Sequence, residues 1–237
     1  MTNPILEFRD VVAGYGDTHV LRKISFAVKP GERLAIIGRN GVGKTTTLAT
    51  AMGLTQLHGG EIWFDGARID RMATHKRAHA GLGLVPQTRD IFPSLSVEEN
   101  LIAGLGKRAS SAVEEAYKLF PRLKERRNNG GSQLSGGEQQ MLSIARTLMG
   151  EPRMLLLDEP LEGLAPVICE MLMKVFENLT SERGLTVVLV EQHADLALGF
   201  ADNVLVLDNG EIVHSGTAAA IRANPEILHR HVGVGLT

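Results

Sequence analysis

Eight consecutive residues constrain this chain more than any others: Gly38-Arg39-Asn40-Gly41-Val42-Gly43-Lys44-Thr45, with Thr46 directly after them. They spell G-x-x-x-x-G-K-[ST]. The apolar run before them, residues 33–37 (RLAII), has the length of a strand, and residues 44–52 after them read as a helix. A strand that passes through a glycine-rich loop into a helix belongs to an α/β fold. The glycines let successive backbone N–H groups turn inward around a triphosphate, and the helix N-terminus adds favourable potential. In such a loop Lys44 reaches the β- and γ-phosphates and Thr45 offers a hydroxyl to Mg²⁺.

A second constellation lies more than a hundred residues downstream. Residues 153–159 (RMLLLDE) make a short apolar strand with Asp158 and Glu159 at its carboxyl end, where open α/β sheets bind ligands. Asp158 suits Mg²⁺ held through water, and Glu159 suits a general base that orients or deprotonates an attacking water. Between the two lies Leu134-Ser135-Gly136-Gly137-Glu138, opening a helix. Taken alone, Ser135 and Glu138 form a capping box. The two glycines also make a second anion-binding nest, which a cap does not explain.

The rest of the chain supports an α/β organisation. Residues 5–12 and 20–28 read as strands joined by the turn GYGD, and 61–64 as a hairpin strand after a Gly-rich segment. Together these predict an antiparallel portion beside a parallel core. Helices are expected at 97–105, 111–120, 136–149, 166–182 and 194–200, with short ones at the C-terminus. In the long helix, Val167, Met171, Leu172, Val175, Phe176 and Leu179 share one face. Residues 128–132 (NNGGS) read as a flexible linker, and strands are expected at 154–158, 186–190, 204–207 and 211–214. The organisation expected is one domain over 1–237. Residues 1–87 and 150–237 would form the core with its antiparallel layer, and 88–149 a helical subdomain.

Composition narrows the function classes. In 237 residues, 25 Lys and Arg stand against 27 Asp and Glu, a net charge of −2. That balance disfavours nucleic acid or an anionic membrane as the main ligand, since both need a strong positive field. The basic stretches 68–79 and 122–127 read as solvated faces. The single cysteine, Cys169, cannot form an internal disulfide, which fits a reducing compartment. Cys169, Met171 and Met173 read as packing residues, since no Cys/His spacing supports a metal. No apolar run approaches the roughly 18 residues of a membrane span.

Phosphate loop, LSGGE and LLLDEP, in this order and at these distances, resemble the ATP-binding subunit of ABC transporters. The resemblance spans about residues 5–216 and brings in three further positions. Tyr15 matches the aromatic that stacks on adenine. Gln87 matches the glutamine that senses the γ-phosphate and Mg²⁺ and faces the membrane partner, and His193 matches the switch histidine. It implies a head-to-tail pair in which Ser135, Gly136, Gly137 and Glu138 of one protomer close over ATP on the phosphate loop of the other. It also implies membrane permease subunits as partners, a periplasmic substrate-binding protein acting indirectly, and a peripheral position on the cytoplasmic face of the inner membrane. One departure stands out: where many relatives read S-A-L-D, this chain has Glu162-Gly163-Leu164-Ala165, so Ala165 replaces an aspartate that helps the two sites communicate.

Within that family, GRNGVGKT, the segment 91–100 (IFPSLSVEEN), Gly163-Leu164-Ala165-Pro166 and the ending Asn224-Pro225…His231-Val232-Gly233-Val234 resemble importers of branched-chain amino acids. Importers of urea or short amides are the alternative, favoured by Gln87 and His193. In both groups two different ATPase subunits usually serve one permease pair, so a heterodimer is expected. The surface near Gln87, residues 91–93 and 97–101 is expected to dock the permease. A soluble ABC-type ATPase acting on nucleic acid is the alternative from a different class. Those relatives usually carry long coiled coils or two cassettes, and this chain has neither.

Overall fold

The computed structural model describes residues 3–232. Gly233 and Val234, part of the ending singled out above, lie outside the described residues. The chain runs β1 (Leu6–Tyr15), β2 (Thr18–Val28), β3 (Arg33–Ile37), α1 (Lys44–Met52), β4 (Gln56–Phe64), β5 (Ala67–Arg68), α2 (Thr74–His79) and β6 (Leu82–Val85). Helices α3 (Val97–Gly104), α4 (Val113–Leu119), α5 (Pro121–Glu125) and α6 (Gly136–Met149) follow. Then come β7 (Met154–Asp158), α7 (Pro166–Arg183), β8 (Thr186–Glu191), α8 (Ala194–Phe200), β9 (Asn203–Asp208), β10 (Glu211–Thr217), α9 (Ala218–Arg222) and α10 (Pro225–His231). No helix among the described residues is long and apolar enough to cross a membrane.

The strands form two sheets. One is four-stranded and antiparallel, in the order β2-β1-β4-β5; the other is six-stranded, in the order β10-β9-β3-β8-β7-β6. In the larger sheet β9, β3, β8, β7 and β6 are parallel, and only the β9–β10 hairpin is antiparallel. Strands β7 and β8 are buried along their whole length, which is why they read as unbroken apolar runs rather than alternating ones. The loops after β3, β6, β7 and β8 all leave the same edge of the sheet. That edge gathers the phosphate loop, Gln87, Asp158–Glu159 and His193.

Two apolar layers cover the sheet. On one side Leu34, Ile36, Leu156 and Val188 pack with Leu48 of α1 and with Phe8, Ile24, Ile62 and Phe64 of the antiparallel sheet. On the other, Leu155, Leu157, Val187 and Leu189 pack with α7 and, in the same cluster, with Val97, Leu101, Tyr117, Phe120, Leu142 and Ile144. Cys169, Met171 and Met173 pack at its margin.

Several sequence expectations need correction. β1 runs on to Tyr15 because its ladder with β2 persists through Gly14↔His19 and Tyr15↔Thr18, so Tyr15 ends a strand instead of sitting in a turn. β4 begins at Gln56 and absorbs the Gly-rich segment, through a register shift opposite Arg9–Val12. α2, β6 and α5 carry four to six residues each, too few for a periodic signal. The helix expected at 111–120 is split into a 3₁₀ turn, Ser110–Ala112, and α4. Residues 128–132 are not a free linker: Gly131 is buried, its N–H donates to Leu95 O at 2.9 Å, and Gly130 bridges Ser96. Val167 is 68% exposed, because at about 100° per residue it falls off the arc of Leu172, Val175, Phe176 and Leu179 that faces the core, whereas Ile168 and Cys169 in the same turn do pack there.

The basic stretch at 68–79 is not wholly solvated either. Arg77 is 3% exposed. Its guanidinium donates to Thr50 O and Ala51 O at 2.9 and 2.8 Å, and to Met72 O and Asp70 O at 2.9 and 3.0 Å. It thereby adds a donor at carbonyls of the last turn of α1, where intrahelical partners run out, Thr50 O also accepting from Gly53 N at 3.1 Å, and it anchors the helix that carries Lys44. In the other stretch, Arg122 and Lys124 pair with Glu138 and Glu114 at 2.9 Å each.

Candidate active site

The phosphate loop is built by close backbone approach. A Cβ on Gly38 would stand 2.3 Å from Leu207 O, so the loop can leave β3 only with glycine there. Gly43 caps α1 at φ 111°, a conformation that L side chains avoid. Val42 O accepts from Gly210 N at 2.9 Å, so the β9–β10 turn braces the loop from the side. The concavity holds about 230 Å³ and is lined by Asn40, Gly41, Gly43, Lys44, Thr45, Thr46, Gln87 and Glu159. Gly38 and Val42 are buried and Arg39 is exposed, and none of the three lines it.

The charged groups converge here. Lys44, 4% exposed, places Nζ 3.1 Å from Glu159 Oε1 and donates to Gly38 O and Arg39 O at 3.1 and 3.2 Å. Thr45 Oγ1 donates to Asp158 Oδ1 at 3.0 Å. Burial pushes the Asp158 carboxyl up to about 6; the Thr45 hydrogen bond lowers it, while the Glu159 charge raises it further. Gln87 Nε2 donates to Glu159 Oε2 at 3.3 Å and to Glu162 Oε2 at 2.5 Å. Glu159 sits at φ 44°. A non-glycine residue there costs on the order of 1–3 kcal/mol, strain of the kind that gathers at functional sites.

The other sequence candidates lie elsewhere. Tyr15, at the end of β1, is 52% exposed and outside the lining of the concavity. His193 is exposed at the N-cap of α8 and makes no side-chain capping bond. Ser135 does cap α6, in the reciprocal box with Glu138: Ser135 N donates to Glu138 Oε2 at 2.9 Å, and Glu138 N to Ser135 Oγ at 3.3 Å. Burial would raise the Glu138 carboxyl, but the Ser135 bonds and Arg122 together hold it below its ordinary value. None of residues 135–138 lines the phosphate-loop concavity of the same chain.

Two groups escaped the sequence reading. Glu162 grips Gln87 across 75 residues of chain. Glu191, next to the switch residues, is 2% exposed and its Oε1 has no hydrogen-bond partner among the described residues. Burial, then the charge of Glu159, pushes its carboxyl up to about 7, against the pull of the Leu161, Gln192 and His193 N–H groups. The folded state therefore keeps a proton that the unfolded chain has released. Stability falls as pH rises from the ordinary 4.5 to about 7, by up to about 3 kcal/mol. Glu191→Gln cannot ionise and should flatten that decline, as read from denaturant midpoints at pH 5 and pH 8. Equal declines in parent and variant would mean that Glu191 does not titrate in this window.

A family model described as ABC transporter matches residues 21–162. The chain belongs to the ABC transporter family. It is 41% identical over 233 residues to the high-affinity branched-chain amino acid transport ATP-binding protein BraG of Pseudomonas aeruginosa, covering 97% of this chain and 100% of that protein. It is 35% identical to the probable branched-chain amino acid transport ATP-binding protein LivF of Archaeoglobus fulgidus, covering 87% and 89% respectively. Among solved structures, a dimeric post-hydrolysis state of the ATP-binding cassette MJ0796, bound to ADP and Pi, superposes with a TM-score of 0.82 at 25% identity, covering 90% of this chain and 98% of that one. This ABC protein is an ATP-hydrolysing transporter subunit with the α/β fold of an ABC ATPase cassette, and its role is to energise an importer.

Proposed function

We propose that the chain energises import of branched-chain amino acids, working with membrane permease subunits and a second ATPase subunit at the cytoplasmic face of the inner membrane. The observation that carries this reading is the end-to-end match to BraG, at 41% identity over 233 residues. Deleting the gene and measuring uptake of labelled leucine and labelled urea tests it. Loss of leucine uptake alone supports the reading. Loss of urea uptake alone replaces it with the urea and short-amide alternative, which Gln87 and His193 favour.

In this reading the loop 38–46 binds ATP and Lys44 neutralises the β- and γ-phosphates. Thr45, Asp158 and Gln87 would hold Mg²⁺, which supplies charge neutralisation of the phosphates when bound. The donor set suits that ion: hydroxyl, carboxylate and amide oxygens are hard ligands, and no group of three or more His, Cys, Asp or Glu among the described residues competes for a softer metal. Glu159 accepts the proton of the attacking water, and His193 and Gln87 orient the γ-phosphate region. Tyr15 stacks on adenine. Residues 135–138 act on the ATP of the partner protomer, which is why they stand apart from the loop of their own chain. Residues 88–149 would then act as the helical subdomain that carries them.

The permease would dock beside Gln87, over Phe92 and Ile102, which are 47% and 44% exposed. Val97 and Leu101, expected at that surface, are buried in the core instead. A cysteine at exposed Ser94 should crosslink to a cytoplasmic loop of the permease in the assembled transporter. Failure to crosslink in a complex shown to be intact would move the dock elsewhere.

A further inference from the structure

Directly after Gln87 the chain does something costly. Arg89 and Asp90, neither of them glycine, occupy the left-handed region in succession, at φ 66° and 47°. The turn is closed by Arg89 N donating to Pro86 O at 3.0 Å, and by Thr88 Oγ1 donating to Asp90 Oδ1 at 2.6 Å. Consecutive left-handed non-glycine residues persist only where the surroundings over-determine them.

The surroundings here are one face of α6. Gln140, Ser143 and Arg146 recur every three residues, so their side chains stand over one another on the helix. Ser143 Oγ donates to Arg89 O at 2.6 Å, Arg146 Nη2 donates to Asp90 O at 2.6 Å, and Arg89 Nε donates to Gln140 Oε1 at 3.2 Å. Gln140 and Ser143 are 2% and 0% exposed. The Arg146 guanidinium also lies 4.8 Å over the ring of exposed Phe92. Gln140 Nε2 and Arg146 Nη1 are buried donors with no partner among the described residues.

We propose that Gln140, Ser143 and Arg146 are positioning residues: they clamp the strained Arg89–Asp90 turn and through it set Gln87 against Glu159 and Glu162. This inference rests on the reading of Gln87 and Glu159 given above.

The test uses the assembled transporter and four changes: Ser143→Ala, Arg146→Gln, and each of these combined with Arg89→Gly and Asp90→Gly. Ser143→Ala is the mild probe should Arg146→Gln fold poorly. Hydrogen exchange at amides 87–91 should rise about tenfold in Ser143→Ala, whether or not the protein turns over ATP. The kcat for ATP should fall about tenfold or more while KM changes less than about twofold, since geometry and not nucleotide binding is lost. Glycine at 89 and 90 takes the left-handed conformation without strain, so it should recover part of kcat even though it also removes the Arg89–Gln140 and Thr88–Asp90 bonds. Unchanged exchange at 87–91, or an unchanged kcat, in Ser143→Ala and Arg146→Gln overturns the clamp. A Glu159→Gln control run alongside keeps the two readings apart. If it hydrolyses ATP at the parental rate, the assignment of the site falls, and the exchange measurement alone still decides the clamp.

Discussion

Glu159→Gln should bind ATP and fail to turn it over. The amide keeps the shape and the bond to Gln87, but it cannot accept a proton from water, a loss of roughly 10²–10⁴ in rate. Affinity for the triphosphate should hold or rise. In the parent, Glu159 Oε1 lies 3.1 Å from Lys44 Nζ and competes with phosphate for that cation; the amide competes less. With hydrolysis blocked, the ATP-bound pair should accumulate as a dimer in size-exclusion chromatography with light scattering. Hydrolysis at the parental rate would remove Glu159 from the role of base.

Lys44→Ala should act at the opposite end of the cycle. The phosphates lose the buried cation of the concavity, and charge-assisted hydrogen bonds of this kind contribute about 1.5–3 kcal/mol each. ATP affinity of the isolated chain should therefore fall about tenfold to a hundredfold or more, as titrated with a fluorescent nucleotide. Ser135→Ala is the contrast. Ser135 lies outside the concavity of its own chain, so the monomer should bind ATP as before while closure and hydrolysis decline. An equal loss of monomer affinity in both variants would contradict a site shared between two protomers.

The parts of the molecule legible in the sequence are those whose signal is local. The bounds of β3 and β7 are visible in the sequence because strands buried on both faces read as unbroken apolar runs. Those of α1 and α6 are visible too, since a glycine loop and a Ser135–Glu138 box mark where each begins. What stayed hidden depends on partners far off in sequence. Glu162 matters because the fold brings it to Gln87, and Ser143 because it meets a carbonyl 54 residues upstream. Arg77 carried a charge among other charges, so its pattern resembled a solvated face. Carbonyls of Thr50, Ala51, Asp70 and Met72, brought together only by the fold, explain its burial. The substrate is not written in the site at all, because the cargo of a transporter need not touch the subunit that supplies the energy.

The apolar layer that covers one face of the large sheet is continuous from Leu155 and Leu189 through α7 to Leu101, Phe120 and Leu142. Helices α3 to α6 meet the sheet through that layer, while a hollow of about 350 Å³ opens beside it between α3, α6 and β6, lined by Ala103, Gly104, Arg146, Thr147 and Leu84. Any displacement of these helices against the sheet is expected to shear along the layer, like a hand sliding on a tabletop. Aliphatic surfaces suit such travel, because a small slip exchanges one set of dispersion contacts for another of similar strength. A bulkier side chain filling that greasy seam is therefore expected to restrict such travel before it unfolds the protein.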